Sequence, residues 1–189
     1  MNGRLPKALG TLLLALVWTA ILAGELVLGS GAVVVRAAED EGPLMQRLRE
    51  LRRPDGSVDA PYGTGQPEEL EVQAAYEQYL VVTVDALVRA DPSHMGEVAA
   101  GRRLDRTRAY ISQLQASGRL AEVIVESIAP VAYVELTGTQ AIIYVQYRQW
   151  HREVDAMTGA LMAEQAGEIL DTYYLLERSD ATWKVTDSA

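Results

Sequence analysis

The sequence predicts an α+β domain: three helices packed on one face of a curved, antiparallel four-stranded sheet, preceded by one transmembrane helix. Three observations carry this reading. Apolar residues recur at helical spacing from Leu70 to Ala90 and stop at Asp91-Pro92-Ser93. From Ala121 onward, β-branched and aromatic residues alternate with polar ones between short turn signals. Ahead of both, Ala8 to Gly24 runs for seventeen residues without a charge.

Residues 1–7 read as a cytoplasmic N-terminus carrying Arg4 and Lys7. The apolar character continues past Glu25 to Val35, so residues 8–35 read as a signal anchor. Seventeen helical residues span about 25 Å, and extension through Leu28 reaches the ~30 Å of a bilayer core. A cleaved signal peptide ending near Ile21-Leu22-Ala23 or Ser30-Gly31-Ala32 is the competing reading. The anchor is favoured because the run exceeds the usual 7–15-residue apolar region of a signal peptide. Positive charge ahead of the segment places the soluble domain outside the cytoplasm. Arg36, Arg47, Arg49, Arg52 and Arg53 follow it and pull the other way. Glu25 is a candidate intramembrane contact for a partner subunit, or a solvated residue at the outer interface.

Residues 36–67 read as a linker, rich in proline and glycine. Within it Leu44, Leu48 and Leu51 fit one side of a short helix that Pro54-Asp55-Gly56 ends. The domain proper, residues 68–189, opens on Pro67 and the acidic pair Glu68-Glu69, which suit a first helical turn. Leu70, Val72, Ala75, Tyr76, Tyr79, Leu80, Val84, Leu87 and Val88 continue that helix. A short helix over 93–100 and a polar one over 102–117 follow, each stopped by glycine. The strands are read over 121–136, with a bend at Pro130, then 140–154, 169–178 and 182–187. Ile143, Val145, Tyr147 and Gln149 share one face of the second.

Charge and composition exclude several functions. Residues 37–189 carry 25 acidic and 14 basic side chains, which argues against nucleic acid and against anionic lipid surfaces. The chain has no cysteine, so disulfides, thiolate metal sites and a cysteine nucleophile are ruled out. Its two histidines, His94 and His151, lie 57 residues apart and match no zinc spacing. No GxSxG, P-loop or GxGxxG is present, and Gly63-x-Gly65 lies in the linker. No metal or cofactor is expected.

Acid–base chemistry needs a base and a donor converging on one cavity. The bases available are Asp85, His94, His151, Asp155 and Asp171, with Tyr76, Tyr79, Tyr144, Tyr147 and Tyr173 as donors. Asp85, His94 and His151 are read as surface groups. Asp171 and Tyr173, two apart on one strand face, form the best pair if that face points inward. The tyrosines as a group read more simply as core and sheet-edge aromatics in a chain without phenylalanine.

The run Tyr174-Leu175-Leu176-Glu177-Arg178-Ser179-Asp180-Ala181-Thr182-Trp183-Lys184-Val185 resembles the closing hairpin of nuclear-transport-factor-2-like cone domains. In these, a strand and a polar turn lead to a tryptophan that seals the core. Tyr76 to Tyr79 with Ala75, Leu104 through Gln115, Gly118 and Asp155-Ala156-Met157-Thr158-Gly159 are similar to the intermembrane-space domain of plastid division proteins and their bacterial relatives. The resemblance implies a cone-like fold with a space between helices and sheet, used by some relatives for isomerisation or dehydration. It also implies a membrane-anchored domain that binds a partner protein, and it carries over no site residue.

Three functions are consistent with this reading. The first is a non-enzymatic, membrane-anchored interaction module whose sheet face or cone mouth, near Tyr147 and Trp150, binds a protein. The second is a small-molecule-binding domain or cone-fold enzyme using Asp171 and Tyr173. The third is an accessory subunit of a larger membrane complex, held through Glu25.

Overall fold

The computed structural model describes residues 42–189. The cytoplasmic N-terminus, the anchor over 8–35 and Glu25 lie outside the described residues. Among the described residues no helix is long and apolar enough to cross a membrane.

Helix α1 spans Pro43–Leu51. Helix α2, Pro67–Arg89, begins with proline in its first turn and a reciprocal cap between Gln66 and Glu69. The Glu69 carboxylate accepts hydrogen bonds from the backbone N–H groups of Thr64, Gly65 and Gln66. These bonds hold its pKa below the ordinary range against the opposing effect of desolvation. The helix ends at Ala90, which takes a left-handed φ of 49°. Helices α3, Met95–Val98, and α4, Gly101–Ala116, complete the helical layer. Val72, Tyr76, Tyr79 and Leu87 of α2 are buried as their spacing predicts, whereas Leu70 and Val88 face solvent at 55% and 42% exposure. A single stripe covers only one side of α2, and those two positions fall off it.

Five strands follow rather than four: β1 Arg119–Ser127, β2 Ala132–Leu136, β3 Gln140–Asp155, β4 Leu161–Ser179 and β5 Thr182–Ser188. The predicted 121–136 strand is interrupted around Pro130, which has no N–H to donate to a ladder. Its halves lie end to end along one edge of β3. β2 pairs with residues 141–144 and β1 with residues 147–155. The remaining order is β1-β3-β4-β5, with every pairing antiparallel.

β4 starts at Leu161, eight residues ahead of the predicted start. Its N-terminal part, rich in Ala, Glu and Gly, has poor strand propensity but is carried into the ladder by the hairpin from β3. That hairpin is closed by an Asp155 N–H bond to the Ala160 carbonyl, 2.9 Å. The Asp155 carboxylate caps the N–H groups of Met157 and Thr158.

Strand alternation gives the sheet two unlike faces. Odd-numbered residues of β3 lie beneath α2–α4, where Ile143, Val145 and Tyr147 join Tyr79, Ile111 and Trp183 in the main core. Even-numbered residues form the outer face. At one end of that face α1 covers Ile142 and Leu175 with Leu44 and Leu48. A two-pronged Arg47–Glu135 ion pair, at 2.8 and 2.5 Å, fastens α1 there. The segment after α1 is tied to the β2 edge, with Gly63 donating to the Val131 carbonyl and Tyr133 to that of Pro61.

Candidate functional site

On the outer face, the end left uncovered by α1 carries Trp150, in the C-terminal half of the interior strand β3. Ile124 of β1 lies directly opposite it in the ladder. Glycine at position 167 leaves room for the indole: a Cβ there would stand 2.5 Å from a ring carbon of Trp150. The Arg148 guanidinium lies 5.8 Å from the indole centroid, within cation–π range. Ile124 and Ile169 flank this centre, 64% and 54% exposed. Charges surround it in partly satisfied pairs: Arg148–Glu126 at 3.4 Å, Arg152–Glu164 at 2.8 Å and Arg152–Glu122 at 4.0 Å. A desolvatable aromatic and aliphatic centre inside a polar rim is the composition of a protein-binding surface.

Asp171 and Tyr173 share a strand face, and it is this outer one. Asp171 is exposed; its Oδ1 accepts hydrogen bonds from the Tyr144 hydroxyl, 2.6 Å, and the Gln146 amide, 2.9 Å. Those bonds hold the Asp171 carboxyl below its ordinary pKa. The same bond to Asp171, with desolvation, pushes the Tyr144 phenol up to about 12. Tyr173 packs against Tyr144 in a tilted arrangement, ring centroids 5.2 Å apart, and borders the α1 contact. An exposed, ionised Asp171 is a poor general base, and the sheet separates it from the helix-covered interior.

Within that interior the structure gathers polar groups that sequence reasoning did not assemble. Tyr147 is 7% exposed and belongs to the core. Further along the same face lie Gln149, His151 and Glu153, at 8%, 4% and 2% exposure. The reading of His151 as a surface group is therefore corrected: like Gln149 before it and Glu153 after it, His151 keeps the inward parity of the strand. The Tyr110 hydroxyl, from α4, donates to Glu153 Oε1 at 3.4 Å and lies 3.3 Å from His151 Nε2. Arg119 donates to the other oxygen of Glu153 at 2.8 Å. Burial pushes the His151 imidazole down to about 4, so it is neutral at pH 7. Burial and the facing Glu153 charge push the Tyr110 phenol well up. A neutral imidazole, a phenol and an ion-paired carboxylate in sequence can pass or hold a proton.

The other sequence candidates lie apart from both arrangements. Asp85 is exposed and pairs with Arg89 at 2.8 Å. His94 is exposed, and its Nδ1 contact with Glu97 at 2.7 Å raises its pKa. Asp155 caps the β3–β4 turn. Among the described residues no group of three or more His, Asp or Glu side chains is placed to hold a metal ion. Period-two counting along β3 was the signal that could have found His151 and Glu153. Nothing in the sequence marks Tyr110 or Arg119 as their partners.

No family model matches the chain, and no curated protein matches it. Solved structures do. The intermembrane-space region of the chloroplast protein ARC6 superposes with a TM-score of 0.51 at 15% identity, covering 62% of this chain and 91% of that one. A nuclear transport factor 2-like superfamily protein from Salmonella enterica gives 0.44 at 10% identity, over 64% and 89% of the two chains. A ketosteroid isomerase-like protein from Erwinia carotovora gives 0.43 at 16%, over 65% and 94%. With helices on one face of a curled antiparallel sheet, the described residues fit a cone fold, and 62% of the chain shares the fold of the ARC6 intermembrane-space region.

Proposed function

We propose that this protein is a non-enzymatic interaction module, anchored in a membrane by residues 8–35, that binds a protein partner on its outer sheet face around Trp150. One observation carries the reading. Ile124, Trp150 and Ile169 form an open apolar centre on a sheet whose other end is already closed by α1. Tryptophan and arginine at the middle of such a face are the residue types that dominate binding energy. The anchor places the module in an extracytoplasmic compartment, consistent with the positive charge ahead of the apolar run.

The direct test is capture of partner proteins by the full-length, tagged chain in gentle detergent, wild type against Ile124→Glu. A charge at this exposed position leaves the core intact, so the reading expects a stoichiometric partner that the variant loses. Equal capture by both forms would remove the outer face as the contact.

A second reading, a small-molecule-binding domain or cone-fold enzyme, draws support from the buried Tyr110–His151–Glu153 sequence. In that reading these residues replace Asp171 and Tyr173 as the acid–base group. Turnover lost in both Tyr110→Phe and His151→Gln would favour it.

A further inference from the structure

β4 is longer than the strand that closes its outer edge. β5 pairs with it from Tyr174 to Ser179, and the last reciprocal backbone bonds join Tyr173 and Ala189 at 2.8 and 3.0 Å. From Leu161 to Thr172, β4 is paired with β3 alone among the described residues. Tyr173 turns both its N–H and its carbonyl toward Ala189. By the period of two, Asp171 and Ile169 turn theirs to the same side, where no described strand meets them.

The edges of β5 and β2 are covered. β5 receives Ala99 in a parallel bridge at Val185, and the Ala100 N–H donates to the Val185 carbonyl at 2.9 Å. β2 receives Tyr62 in an antiparallel bridge at Ala132. The stretch from Leu161 to Thr172, by contrast, contains neither the proline nor the lysine that commonly block strand addition.

Its charged residues are Glu164, Glu168 and Asp171, with no cation among them. Glu164 is answered by Arg152 at 2.8 Å. Glu168 accepts from the Gln165 amide at 2.7 Å, and Asp171 from Tyr144 and Gln146. Among the described residues neither Glu168 nor Asp171 is paired with a cation. Glu168, Ile169 and Asp171 are exposed, and Leu170 is half-buried. Two copies of this edge laid side by side would bring like charges together, which disfavours a second copy as the occupant. The outer edge of β1 carries both signs, Arg119 with Glu122 and Glu126, and has no such bias.

Resting on the reading of the outer face as a protein-binding surface, we propose that the partner contributes an extended segment that adds to the free edge of β4 as a further strand. Its pattern is cation–apolar–apolar–cation, opposite Glu168, Ile169, Leu170 and Asp171. An added strand lies ~4.8 Å away, so the residue beside Ile169 widens the apolar centre at Trp150. The residue beside Leu170 falls on the opposite face. The pattern reads alike in both chain directions, so it serves parallel and antiparallel addition. Main-chain bonds supply affinity, and the alternating side chains supply selectivity.

The test is fluorescence anisotropy of a dye-labelled peptide, Thr-Lys-Val-Val-Lys-Thr, titrated with detergent-solubilised full-length protein. The comparison peptides carry glutamate in place of lysine, or backbone N-methyl groups on one or the other alternate set of residues. Only the methylated set whose N–H groups face β4 should block pairing. The proposal expects saturable binding, lost at least tenfold with the glutamate peptide and with one methylated set but not the other. Ile169→Pro, which removes an edge-facing donor, should also lose at least tenfold. Near-UV circular dichroism checks that this variant is folded; if it is not, the methylated pair decides alone. Binding that does not saturate, equal binding of the glutamate peptide, or equal effects of the two methylated sets overturns the proposal. If partner capture is still lost in Ile124→Glu while the peptide fails to bind, the outer face stands and strand addition alone falls.

Discussion

Trp150 and His151 are neighbours in β3 and lie on opposite faces of the sheet. The Trp150 indole lies over Gly167 on the outer face, and the His151 imidazole is 4% exposed beneath Tyr110 of α4. One peptide unit thus separates the open surface from the buried polar group, and the two can be perturbed separately.

The buried imidazole makes stability depend on pH. Burial holds His151 at about 4 in the folded chain, against 6.5 for an unperturbed histidine. Between those values the unfolded chain binds the extra proton, so stability is complete above 6.5 and falls as the pH drops toward 4. The loss attributable to this group is about 3 kcal/mol. Urea unfolding from pH 7 to pH 4 should show a steeper decline for wild type than for His151→Gln. Parallel curves would mean the imidazole is hydrated in solution.

Gly167 is required by the indole above it. Gly167→Ala places a methyl within 2.5 Å of Trp150 and should destabilise by about 1–3 kcal/mol through overpacking. The same substitution in a Trp150→Ala background should cost less than half as much. Denaturant midpoints of the four proteins complete the cycle, and additive costs would refute the contact.

The docking of α1 depends on Leu44, fully buried against the outer face, and on its neighbour Leu48. Leu44→Ala should cost about 2–5 kcal/mol if α1 unfolds together with the sheet. A separate early transition, followed by hydrogen exchange of residues 43–51, would instead make α1 a detachable strap.

Much of this was legible in the sequence because local and global signals agree. Pro67 with Glu68 and Glu69 mark the start of α2, and Val72, Tyr76 and Tyr79 give its buried stripe. The Ser179-Asp180-Ala181 turn and Trp183 mark the closing hairpin. Two features were hidden for physical reasons. The strand around Leu161–Glu168 has weak β propensity and forms because β3 templates it across the hairpin. His151 and Glu153 are polar residues on an inward parity; polarity outweighed parity in the reading of His151 as a surface group, and Glu153 was not singled out at all. Asp171 and Tyr173 were correctly placed on one face of one strand, but which face points inward depends on how the helices dock. That is a long-range property no window of the sequence contains.

The interaction surface is tested most directly by site-specific photo-crosslinking in native membranes. A crosslinker is placed at Ile124 or Ile169 on the outer face and, as a control, at His94 on the helical side. The account predicts one discrete crosslinked partner from positions 124 and 169 and none from position 94. No adduct at the outer-face positions, or the same adduct from all three, would contradict it.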